Sequence, residues 1–267
     1  MEIFQYAFMR RAFIVGIILA IIIPCIGVVV VLKRLSMMGD ALSHSSLAGV
    51  TLGLLMGINP VLGAMITCIL AAFGIEVIRK KVPQHAEIAI AIIMSTGIGI
   101  AGVASGFVKN TANFNSFLFG SIVAISDFEL FLVIGIGIVV LIAFILLYKE
   151  LFFMSFNEKG AQLAGIPVGL VNGIFTVLIA ITVAIAARTV GSLIVSAMMV
   201  VPVACAMQWA KSYKQTVVYS ALFGVCFMIV GLFLAYYVGL KPGGTIVLTG
   251  VACFVLSLVL KKFLRRA

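Results

Sequence analysis

Asp40 and His44 stand four residues apart in the stretch Lys33 to Gly49, KRLSMMGDALSHSSLAG, within a chain that is otherwise overwhelmingly apolar. On a helix the carboxylate and the imidazole share one face, and Ser43 lies one turn from Asp40 on the same side. An ionisable group at membrane depth costs about 2.5–3.5 kcal/mol on insertion scales, so its default reading is functional, with a partner or an ion on a protected face. Asp and His together suit a small divalent transition ion. The structural alternative is a helix N-terminus: Asp40, after Gly39, favours the positive end of the helix dipole while His44 hydrogen-bonds a neighbouring serine.

Two side chains do not complete the four-ligand shell that Zn²⁺ takes, so Ser43, waters, carbonyls or a second copy of the chain would have to contribute. A second polar cluster, Arg188, Thr189, Ser192 and Ser196, precedes MMVVPVA. Pro202 in that run is expected to kink or break its helix and free backbone carbonyls. Arg188 either gates a mouth of the pathway or snorkels to the interface. Asn115 and Ser116 are further candidates to line a path. Glu76 and Arg79, three residues apart, read as an ion pair on one helix face, and His85 as a solvated turn residue.

Enzyme chemistry finds little support. The chain has no HExxH, GxSxG or GxxxxGK[ST] and only two histidines, so it is not expected to be an enzyme or to hydrolyse ATP itself. A stand-alone secondary carrier is the rival transport reading, but such a carrier usually distributes acidic or His residues over several helices as a proton relay. Only Asp40 and Glu76 among the eight acids fall within or beside apolar runs.

The elements that hold these residues follow from composition. With 64% hydrophobic residues, 10% charged and a mean hydropathy of +1.33, the 267-residue chain reads as a single polytopic membrane domain, an all-α helical bundle. Its 20 Phe against the single Trp209 fit lipid-facing and packing surfaces. The formal charge of +10 lies in short clusters between apolar runs, which positive-inside topology explains with no nucleic-acid partner. The cysteines Cys25, Cys68, Cys205, Cys226 and Cys253 fall inside apolar runs and read as small buried hydrophobes. The first apolar run is too long for a cleavable signal and is expected to remain as a span.

Runs near 20 residues predict nine spans, at about 12–32, 41–57, 61–78, 88–108, 130–148, 168–187, 190–210, 216–239 and 245–260. Most of the 18 basic residues then fall on one side, placing the C-terminus in the cytoplasm and the N-terminus outside. Arg10 and Arg11 conflict with this. If they are cytoplasmic, the first run bends at Pro24, returns to its own face, and eight spans remain. Residues 110–127 read as a short helix or re-entrant piece. Residues 150–167 read as the longest cytoplasmic connection, with Glu158, Lys159 and Gln162 on a short helix closed by Gly165 and Pro167. Gly102 with Gly106, and Gly243, Gly244 and Gly250, are expected at close helix approaches.

The segment KRLSMMGDALSHSSLAGVTLGL resembles one that characterises the metal-cation ABC permease family, the zinc and manganese permeases of bacterial ABC importers. The likeness extends to NSFLFGSIVAIS, FNEKGAQLAGI, VGSLIVSAMMVVPVA and PGGTIVLTG, and so covers nearly the whole chain. It implies a type II-like importer permease of eight to nine membrane helices, forming a homodimer in the bacterial plasma membrane. Its implied partners are two cytoplasmic ATPase subunits, which bind the ATP, and an extracytoplasmic metal-binding protein. By the same resemblance Asp40 and His44 face the translocated ion, and Asn157 to Gly165 is the coupling helix that docks on the ATPase. The opening FQYAFMRRAF is slightly closer to zinc-directed members, so Zn²⁺ is the expected cargo, with Mn²⁺ or Fe²⁺ as alternatives.

Overall fold

The computed structural model describes residues 5–82, 85–107 and 125–264, and these form eleven helices and no strand. They are α1 (Ala7–Leu32), α2 (Met38–Leu55), α3 (Pro60–Lys81), α4 (Ala86–Ser105), α5 (Asp127–Leu146), α6 (Tyr148–Phe156), α7 (Glu158–Leu163), α8 (Val168–Thr189), α9 (Ser192–Trp209), α10 (Tyr213–Val238) and α11 (Pro242–Leu264).

Local chemistry sets several of these boundaries. Pro60 opens α3, where its missing N–H costs nothing, and the Asn59 side chain accepts from Val61 N at 2.9 Å. Ser126 and Glu129 form a reciprocal capping box at the start of α5. Gly239 ends α10 in the left-handed region (φ +74°), which a residue without Cβ adopts freely.

Each expected span coincides with a helix, but the count is corrected. Among the described residues seven helices, α1, α3, α4, α5, α8, α10 and α11, are long and apolar enough to cross a membrane. Of the other two, α2 is diluted by Asp40, His44 and three serines, and the apolar part of α9 is only Ile194–Trp209. Both survive by being enclosed: α2 packs against α3, α4, α8 and α9, and α9 against α1, α2, α8, α10 and α11.

Neither proline breaks its helix as expected. Pro24 lies inside an unbroken α1 of 26 residues, about 39 Å at 1.5 Å per residue, so the re-entrant first span is excluded and Arg10 and Arg11 sit at the opposite end from Lys33. The reason is packing. Pro24 leaves the Ala20 carbonyl without its i+4 donor, and Gly224 of α10 closes over that place, where a Cβ would come within 2.4 Å of Ala20 O and 2.8 Å of Pro24 Cγ. Pro202 is likewise carried inside α9.

Lipid-facing and core-facing sides separate cleanly on α5. Val133, Gly137, Val140 and Phe144 are buried, while Phe131, Ile138, Ile142 and Ile145 are exposed. Other expectations fail in part. Residues 150–156, read as the start of a connection, are helical within α6. Of the glycines expected at close approaches, Gly250 is at one, where a Cβ would lie 3.0 Å from Phe227 and 3.4 Å from Val201, whereas Gly102 and Gly244 face open space and Gly106 meets only its own preceding turn. All five cysteines are free, but Cys226 is exposed rather than buried. The re-entrant reading of residues 110–127 falls mostly outside the described residues.

Candidate functional site

The helix carrying Asp40 and His44 is held by backbone approaching backbone. A Cβ at Gly97 of α4 would lie 2.9 Å from Ser45 N and 3.0 Å from His44 C. One at Gly63 of α3 would lie 2.4 Å from Gly49 O, and one at Gly39 would lie 3.4 Å from Ser196 Cα of α9. Such distances admit no side chain against the α3 and α4 walls, so α2 is fixed in position and rotation.

Side chains on the other faces of α2 are satisfied locally. Thr67 Oγ1 donates to Ser45 O at 2.9 Å, Ser45 Oγ to Ala41 O at 2.8 Å, and the Cys68 thiol to Leu42 O at 3.2 Å. The triad face differs. Asp40 and His44 are half-buried, and among the described residues neither side chain makes a hydrogen bond or ion pair. Ser43, 2% exposed, has a hydroxyl without a hydrogen-bond partner.

Asp40 occupies the first turn of α2, so the dipole does favour its carboxylate, whereas the hydrogen bond from His44 to a serine is not formed. A carboxylate, an imidazole and a hydroxyl at i, i+4 and i+3 thus stand together without protein partners. Among the described residues no group of three or more His, Cys, Asp or Glu converges.

At the end of the bundle marked by Lys33, a polar network surrounds α7. Asn157 caps this six-residue helix by accepting from Gly160 N at 2.8 Å, and Gly165 follows it at φ +85°. Lys159 and Gln162 are exposed. Glu158 accepts from Asn172 Nδ2 at 2.9 Å and lies 3.9 Å from Arg79. Asn172 in turn accepts from Lys33 Nζ at 2.7 Å. Burial pushes the Lys33 ammonium below the ordinary lysine range, and Glu158 draws it back up. The expected Glu76–Arg79 pair is present, two-pronged at 3.0 Å on each arm. Asn172 and Lys33 were not among the expected site residues, although an asparagine inside the apolar run VGLVNGIF was a visible signal.

The opposite end carries the remaining candidates. Arg188 does not simply snorkel: its Nε pairs with Glu129 at 2.9 Å. Arg11 pairs with Asp127 at 2.7 Å, so two arginines fasten the start of α5 to α1 and α8. Ser192, at the start of α9, is buried, and Pro202 lies further along the same helix. Asn115 and Ser116 lie outside the described residues. His85 is exposed ahead of α4, as expected.

A multi-pass helical bundle with an enclosed, polar, unpartnered helix face is the architecture of a membrane permease. The model of the ABC 3 transport family matches residues 5–261, and the chain belongs to that family. A Treponema pallidum (strain Nichols) protein described as a "Probable metal transport system membrane protein" is 34% identical over 258 residues, 96% of each chain. The manganese import system permease protein ScaB of Streptococcus parasanguinis is 32% identical over 253 residues, covering 95% of this chain and 90% of that one. Among solved structures, PsaBC from Streptococcus pneumoniae in complex with Fab superposes with a TM-score of 0.86 at 30% identity, over 96% of this chain and 92% of that chain.

Proposed function

We propose that the chain is the transmembrane subunit of an ATP-driven importer of a first-row divalent metal, working as a homodimer in the bacterial plasma membrane. It receives the ion from an extracytoplasmic binding protein and is driven by two cytoplasmic ATPase subunits docked at Asn157 to Gly165. The observation that carries this reading is the Asp40, Ser43, His44 face, polar and without protein partners on an enclosed helix.

The expected zinc cargo gives way to manganese as the favoured ion, because the import permease relative covering this chain is named for manganese. The residues themselves fit either: carboxylate oxygen suits Mn²⁺, imidazole suits Zn²⁺, and one of each does not separate them. Asp40 offsets the cost of a partly dehydrated dication, and the imidazole nitrogen of His44 disfavours Mg²⁺ and Ca²⁺. Closure of the ATPase subunits would push on α7 and turn the bundle between outward and inward access.

The test is isotope uptake by the complex reconstituted in vesicles, compared for Mn²⁺, Zn²⁺ and Fe²⁺. Asp40→Asn should lose nearly all ATP-dependent uptake while inserting normally. Uptake at the original rate would remove Asp40 from the pathway. Uptake without the ATPase would favour the stand-alone carrier.

A further inference from the structure

We propose that Asn172, tying Lys33 to Glu158, is the linkage that passes movement of α7 into the transport helices. The inference rests on the reading of Asn157 to Gly165 as the ATPase docking segment.

The short helix α7 has little hold of its own. Ala161 is fully buried, but Leu163 is 90% exposed and Phe156, just before the helix, is 64% exposed, so the outer side faces away from the bundle. Among the described residues, Glu158 supplies the side-chain hydrogen bond and ion pair that join α7 to the long helices. Its Oε1 accepts from Asn172, which is 4% exposed on α8, and its Oε2 faces Arg79 of α3.

Asn172 uses both ends of its amide. Nδ2 donates to Glu158, and Oδ1 accepts from the ammonium of Lys33, the residue that closes α1. Lys33 Nζ also lies 6.0 Å from the centre of the Phe175 ring, one turn further along α8. One carboxylate of α7 is thereby joined to α1, α3 and α8. Of these, α3 and α8 pack directly on α2, which bears Asp40 and His44.

Why this transmits rather than absorbs motion is a matter of desolvation. Asn172 is buried although the Glu158 side chain is 41% exposed, so pulling the two apart leaves the amide without water to replace its partners and costs more than breaking a wholly exposed pair. Neutral Asn at the centre joins the two charges without adding a third. A carboxylate there would repel Glu158, and an aliphatic side chain would take the bridging partner from both ions.

The experiment uses the permease assembled with its ATPase in vesicles. It measures metal ions transported per ATP hydrolysed, together with the amount of ATPase that co-purifies. Asn172→Leu is expected to retain the ATPase but lower the transport ratio about tenfold, the size of effect a charge-assisted hydrogen bond supports. A merely structural residue would lower the amount of complex and leave the ratio per complex unchanged. Asn172→Asp should show a similar fall, and adding Glu158→Gln, which sets an amide donor against the new carboxylate, should return the ratio to within about twofold of the parent. If Asn172→Leu does not accumulate, this second pair decides. Wild-type ratios in the single variants, or no recovery in the double one, overturn the linkage. Leu163→Asp tests the docking reading separately: loss of ATPase association supports it, and undiminished association overturns it whatever Asn172 does.

Discussion

Asp40, Ser43 and His44, the face we propose for the ion, carry a single acid between them. Their readable property was isolation: one acid and one imidazole at helical spacing in a greasy chain. The structure adds the absence, among the described residues, of hydrogen-bond or ion-pair partners for both and the buried, unpartnered hydroxyl of Ser43 on the same helix. His44→Ala should leave insertion intact and raise the metal concentration for half-maximal uptake by about tenfold or more, since it removes one ligand of a sparse shell. Ser43→Ala should cost less, within about threefold, because an unpaired hydroxyl contributes only a weak neutral donor atom. What the sequence did not disclose was the partner of Asn172. Lys33 and Asn172 are 139 positions apart, and no local spacing rule joins residues at that distance.

Elements were legible to the extent that hydropathy marks them. The long apolar helices stand where 20-residue runs predicted them, since a span must satisfy its backbone internally. Helix α6 was hidden because YKELFFMSF mixes charge and aromatic residues and resembles a loop flank. Close contacts were hidden too, because a glycine that meets a neighbour looks no different in sequence from one that faces open space. Gly97 and Gly63 meet backbone, whereas Gly102 meets nothing. Gly63→Val should therefore destabilise the fold by at least about 2–3 kcal/mol and reduce the amount of assembled protein, while Gly102→Ala should be neutral or slightly stabilising. Thermal melting in detergent distinguishes the two.

The molecule as a whole falls into a group formed by α2, α3 and α4 and a group formed by α1, α10 and α11, joined through α8 and α9. The two ends differ electrically. One gathers Lys33, Arg79 and Glu158 around α7, and the other fastens α5 through Arg11–Asp127 and Arg188–Glu129. The Arg188 pair is mostly shielded, so Glu129→Gln should cost about 1–3 kcal/mol, and Arg188→Gln combined with it should cost less than the sum of the two single changes. The continuous first helix sets Arg10 and Arg11 at the opposite end from Lys33, and the distribution of basic residues predicts which end is cytoplasmic. A reporter fused at the C-terminus should be active only in the cytoplasm and one at the N-terminus only outside; the reverse result would mean that Arg10 and Arg11 set the topology.

Gly97 bears on any attempt to re-engineer cation preference. Because the neighbouring helix touches the main chain of His44 and Ser45 with nothing but a hydrogen there, no donor atom can be grafted onto position 97 without prising the two helices apart. On the proposed reading, selectivity is therefore editable from the bearing helix itself, at positions 40, 43 and 44.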